Sequence, residues 1–147
     1  MRKCFIILVM FSAFALTACK EDEEEFSLAP VLSFVSISPE SAGELVDPVE
    51  ITINYYDEDG DLGENNAALK NLFVVDSRNE VTYEFRIQQL APSGSTIPIE
   101  GSLTINIDPL VISDGSASQT ASFIVYCKDR AGNLSNSVTT TEITISE

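Results

Sequence analysis

The segment Asp57-Glu58-Asp59-Gly60-Asp61-Leu62-Gly63-Glu64-Asn65-Asn66 places five carboxylates within eight residues and contains no base. Like charges at that density repel one another, and either full solvation or a divalent cation relieves them. Calcium suits the alternating spacing, because oxygens two residues apart can converge on one ion at about 2.3–2.6 Å. Gly60 and Gly63 let the backbone turn tightly and offer carbonyls. The candidate metal ligands are therefore Asp57, Asp59, Asp61 and Glu64, and the alternative is a solvated acidic turn. The spacing is not that of an EF-hand. With Asp57 as the first loop position, Leu62 stands where Gly is required and Ala68 where the bidentate Glu belongs.

Other chemistries are poorly provided for. The chain has no His, which excludes an ordinary Ser or Cys triad and a zinc site of the usual kind. Paired carboxylates can hydrolyse glycosides, but a single acidic turn in a small domain leaves little room for a substrate cleft. The expectation is a non-catalytic protein. With 23 acids against 8 bases, it repels phosphate backbones and anionic headgroups, so neither nucleic acid nor a membrane surface is an electrostatic partner. Trp is absent, which removes the favoured stacking platform for sugars and leaves Tyr55, Tyr56, Tyr83 and Tyr126. Three of these fit core or pleat positions. Cys127, the one cysteine beyond the N-terminal region, sits in an alternating apolar run and is expected to be a small buried hydrophobe.

The acidic segment follows a strand pattern and belongs to a chain of such patterns. Val31–Ser38 lies between two prolines. Val49–Tyr56 alternates, with Ile51, Ile53 and Tyr55 on one face. Leu72–Asp76 is continuously apolar, and Ser77–Glu80 turns the chain into Val81–Ile87. Leu103, Ile105 and Ile107 mark a fifth strand, Ala121–Cys127 a sixth and Val138–Ile145 a seventh. The Thr-rich stretch Thr139–Thr141 is either a β-branched strand with one wet face or an edge for a partner's strand. Seven strands with frequent turn signals predict an all-β domain, an immunoglobulin-like β-sandwich over residues 30–147.

Two motifs carry resemblances. Asp129-Arg130-Ala131-Gly132-Asn133-Leu134-Ser135 resembles the D-x-A-G-N-x-S turn joining the last two strands of many bacterial immunoglobulin-like repeats. Gly132 and Asn133 tolerate positive φ there, and Asp129 can cap the turn. Asp57, Asp59, Gly60, Asp61 and Gly63 are similar to the D-x-D-G-D-x-G loop of small Gram-negative surface lipoproteins with immunoglobulin-like or cadherin-like domains. That resemblance implies a calcium site. If Val49–Tyr56 and Ala121–Lys128 run the same way, the two loops share one end of the sandwich, and Asp129 or Asn133 completes the shell. The first strand also starts at that end, so calcium is expected to stiffen the junction with the N-terminal segment.

That N-terminal segment has a targeting pattern. Arg2 and Lys3 precede an apolar run from Phe5 to Leu16, too short to span a bilayer and of the length of a signal-peptide core. Leu16-Thr17-Ala18-Cys19 then resembles the bacterial lipobox. The resemblance implies a signal peptide over residues 1–18 and diacylglycerol on Cys19. At about 0.8 kcal/mol per buried methylene, two or three acyl chains anchor durably. Lys20 and the acids Glu21–Glu25 form, with the residues to 29, a self-repelling tether. The run also resembles the export signal of surface lipoproteins, which implies an outer-membrane address facing the cell exterior. The expected protein is a lipid-anchored binding or accessory module for a glycan or a surface protein. The alternative is a spacer subunit of an outer-membrane complex such as one for polysaccharide uptake.

Overall fold

The computed structural model describes residues 28–147. The signal peptide, Cys19 and the tether as far as residue 27 lie outside the described residues. Among the described residues there are ten β-strands and no helix, so the expected all-β class holds.

Strands β1 (Val31–Ser38), β3 (Val49–Asp57) and β6 (Ile99–Ile107) form an antiparallel sheet in the order β1-β3-β6. Strands β4 (Leu72–Asp76), β5 (Thr82–Phe85), β8 (Phe123–Cys127) and β9 (Val138–Thr139) form a second, ordered β5-β4-β8-β9. A third joins β2 (Ser41–Gly43), β7 (Ser118–Ala121) and β10 (Ile143–Ser146) in the order β2-β10-β7. This arrangement is consistent with a β-sandwich.

Alternation explains the burial. In β3, Val49, Ile51 and Ile53 are wholly buried while Glu50 and Asn54 face out. In β8 the buried set is Phe123, Val125 and Cys127, and in β4 it is Leu72 and Val74. These residues meet Ile105, Ile107, Ile143 and Ile145 in one apolar core. The free Cys127 is part of it, as its run predicts.

Ten strands replace the expected seven for local reasons. The run Ala121–Cys127 is interrupted at Ser122, whose carbonyl accepts from the Ser77 N–H at 3.0 Å. Opposite, the buried Thr140 takes the Phe123 N–H on its hydroxyl at 3.0 Å and gives its own N–H to the Phe123 carbonyl. A hydroxyl substitutes for a ladder carbonyl, so Val138–Ile145 also divides into two strands. Of the two, β10 lies between parallel β2 and antiparallel β7, whereas β9, which holds Thr139, is the end strand of its sheet. The short β2 has no periodicity to announce it.

Register fixes which ends coincide. Leu72 pairs with Cys127 and Asp76 with Phe123, so β4 and β8 run oppositely. The exits of β3 and β8 are joined directly, because the Arg130 N–H donates to the Asp61 carbonyl and the Ala131 N–H to Asp61 Oδ2. One pole of the domain thus carries Asp57, the other Asp76.

Candidate metal centre

Asp57 is the last residue of β3 and is fully buried. The chain then makes a tight excursion rather than a free turn, because Leu62 returns to the core with no exposure. Its N–H donates to Asp57 Oδ2 at 2.6 Å, closing the loop on the strand that precedes it. Both glycines are needed for that path. At Gly60 (φ 72°) a Cβ would stand 2.1 Å from the Ile97 carbonyl oxygen, and at Gly63 (φ 95°) 2.2 Å from that of Gln88.

The loop brings three of the expected ligands together. Asp57, Asp59 and Asp61 each offer a carboxylate oxygen, and the three oxygens lie within 4.8 Å of one another. Oδ1 of each aspartate is buried and has no hydrogen-bond partner. Ionised carboxylates cannot donate to one another, so a bond between Asp57 and Asp59 needs a proton on one of them. Burial pushes the Asp57 carboxyl up to about 6; the Leu62 N–H works against that rise, and the charge of Asp59, a side-chain bond with Asp59 and the charge of Asp61 add to it. Burial likewise raises Asp61, followed by the charges of Asp129 and Asp59, against the Ala131 N–H and Arg130. A carboxyl so raised favours the folded state below its unfolded value near 3.8 and loses that advantage as the pH climbs through about 6. At neutral pH the folded loop holds charge that its own surroundings do not balance.

Glu64 and Asp129 are not part of the group of three. Glu64 Oε1 accepts the Asn66 N–H at 2.8 Å. Asp129 is spent on its own turn, where Oδ1 accepts the N–H groups of Gly132 (2.7 Å) and Asn133 (2.8 Å) and Oδ2 accepts Asn133 Nδ2. The expected cap is therefore present. Only Gly132 takes positive φ in this turn; Asn133 is held by its side chain instead.

Sequence spacing did not reveal Arg130 as a partner of this loop. Its guanidinium donates to the Gly63 carbonyl at 3.0 Å, with longer contacts to those of Gly60 (3.4 Å) and Leu62 (3.5 Å). The glycine carbonyls expected to face an ion thus face this arginine, which staples the acidic loop to the β8 exit. Asn133 Nδ2 also donates to the Leu28 carbonyl at 3.1 Å, and Asn136 brackets Leu32 by accepting its N–H (2.7 Å) and donating to its C=O (2.9 Å). The start of β1 is tied to the same pole.

Chemically, the cluster is an all-oxygen, all-anionic donor set and fits a hard divalent cation, calcium or magnesium, better than a soft one. Cys127 adds no soft ligand. Burial pushes its thiol up to about 11; Ser135 opposes this, and the charges of Asp57 and Asp129 add to it. No family model, no curated protein and no solved structure matches the chain.

Proposed function

We propose that the chain is a lipid-anchored, non-catalytic binding or accessory module with an immunoglobulin-like domain, and that Asp57, Asp59 and Asp61 hold a calcium ion. The order β1-β3-β6 against β5-β4-β8-β9 supports the fold reading, since it matches strands A, B and E facing C′, C, F and G. The single observation that carries the calcium reading is the set of three buried Oδ1 atoms without partners. An oxygen that is desolvated, anionic and unpaired is costly unless a cation compensates it. Calcium is favoured over magnesium because it accepts irregular oxygen shells and fills the remainder with carbonyls and water. Millimolar calcium outside the cell suits a site with so few carboxylates.

The lipid reading rests on Arg2, Lys3, the apolar run and Leu16–Cys19, and the outward-facing outer-membrane address rests on Lys20–Glu25. Cys19 is the lipidated residue. The ion's role is to stiffen the pole at which the tether meets the domain. Asn133 supports this, being bonded to Asp129 on one side and to Leu28 on the other.

Thermal unfolding in calcium and in chelator tests the metal. With free calcium about 5–50 times Kd, binding adds about 1–2 kcal/mol, a rise of about 3–10 °C in Tm for a domain of this size. An unchanged Tm at millimolar calcium removes the ion from the proposal. Intact mass of the native protein tests the anchor: an unmodified thiol at Cys19 removes the lipid.

A further inference from the structure

The five cationic side chains of the described residues are distributed unevenly. Arg78 forms an ion pair with Asp76, and among the described residues it is the only one that does. The other four, Lys70, Arg86, Lys128 and Arg130, belong to the pole of the acidic loop. Arg86 donates to the carbonyls of Glu64 and Asn65, and Arg130 to those of the glycine loop. Lys70 precedes Asn71, whose carbonyl accepts the Lys128 N–H at 2.9 Å. Together with Arg130 the two lysines line a cleft of about 210 Å³, whose other walls are Glu64, Leu69, Asn71 and the Asp129–Gly132 turn.

Three cations around one small cleft are unexpected in a chain of net charge −15. The two acids in the walls form no ion pair with them. Glu64 accepts from the Asn66 backbone, Asp129 accepts three N–H donors of its own turn, and neither lies within ion-pair distance of a lysine or arginine. Arg130 already answers the charge of Asp61, so Lys70 and Lys128 are the cations of the walls that can meet a ligand's negative charge. The volume of the cleft is that of roughly seven waters, enough for one ionic group on a ring and too small for a polymer. Leu69, half exposed at the rim, offers an apolar contact beside the charges.

We infer that this cleft binds the carboxylate of a small organic acid, of the size of a single uronic-acid unit, with Lys70 and Lys128 supplying the charge and Arg130 the fixed wall. None of Asp57, Asp59 and Asp61 lines the cleft, although Arg130 joins it to their loop. The lysines are point charges on flexible stems, so affinity is expected to be modest and salt-sensitive.

The test is amide-resolved NMR of the intact chain in detergent, titrated with sodium glucuronate, inorganic phosphate or glucose, in calcium and again in chelator. The expected result is saturable glucuronate shifts at Lys70 and Lys128–Gly132, weakening as salt rises, with phosphate weaker and glucose without effect. Lys70→Gln with Lys128→Gln is expected to weaken glucuronate about tenfold at unchanged Tm. Absence of saturable shifts overturns the inference, as do shifts that persist in a folded double variant. Equal binding of glucose removes the role of charge, and tighter binding of phosphate removes the carboxylate. Should the double variant not fold, salt-independent binding by the unaltered chain overturns it equally. Persistence in chelator separates this cleft from the calcium site.

Discussion

Asp57 and Asp76 form a natural pair of opposites. Each is the last residue of its strand, each has no exposure, and they stand at the two poles of the domain. Asp76 is fully provided for. Arg78 embraces it, with Nε at 3.0 and 3.2 Å from its two oxygens and Nη2 at 2.7 Å, and the Arg78 N–H adds a bond at 3.0 Å. The guanidinium is itself held by the Val111 carbonyl and Gln119, and the Asp76 partnership raises its pKa further, against burial. Asp57 has one backbone donor on Oδ2, none on Oδ1, and two aspartates for neighbours. The same residue at the same depth is thus neutralised from within at one pole and left charged at the other. A counter-ion encoded two residues away makes a permanent piece of structure; a missing one makes a receptor for something brought from outside.

That contrast breaks first at the Asp76 pole. Arg78→Ala leaves a buried carboxylate alone and is expected to cost about 3–5 kcal/mol, read as an early midpoint in urea. The loss should be the same in calcium and in chelator, since neither reaches this pole. A calcium-dependent loss would show that the poles are not independent. Arg78→Lys should recover only part of it, because an ammonium cannot repeat the paired contacts.

At the other pole the sign is expected to change with conditions. Asp57→Asn keeps the shape and the acceptor for the Leu62 N–H but removes one buried charge. In chelator the variant should match or exceed the parent in Tm, because the like-charge cluster is relieved. In calcium it should fall below the parent by the stabilisation that ion binding supplies, about 1–2 kcal/mol. The crossing of the two melting curves is the measurement. A variant less stable than the parent in both conditions would make Asp57 structural, like Asp76.

The two poles also differ in how far the sequence discloses them. The carboxylates of the acidic loop are adjacent in the chain, and period-two alternation in β3 delivers them to a strand end, so Asp57, Asp59 and Asp61 were legible as a group. Leu72–Asp76 was legible as a strand, yet its terminal aspartate and Arg78 lie in a plain turn sequence with no motif to mark a buried pair. Arg130 was hidden for another reason. Its hold on Gly60 and Gly63 spans about seventy positions, and only the shared exit of β3 and β8 brings them together. Glu64 and Asp129 looked like ligands because charge is visible in sequence; that local N–H groups occupy them is not. The interruptions at Ser122 and Thr140 were invisible too, since β-branched residues fit an unbroken strand equally well.

The smallest expected effect tests whether the open pole communicates with the chain's N-terminal segment. Asn133 Nδ2 contacts both Asp129 Oδ2 and the Leu28 carbonyl, so the turn that packs on Asp61 also holds the first described residue. Asn133→Ala removes those two bonds and leaves the Asp129 cap on the backbone, a loss of about 0.5–1.5 kcal/mol. If calcium stiffens the junction, chymotryptic cleavage after Phe26 or Leu28 should slow on calcium addition in the parent, and that protection should shrink in Asn133→Ala while the calcium-dependent rise in Tm remains. Asn136→Ala serves as the control, because it loosens Leu32 without touching the Asp129 turn. Equal calcium protection in parent and Asn133→Ala would confine the ion's influence to its own loop. The comparison would then reduce to two local ways of balancing a buried carboxylate, with no path from the metal to the tether.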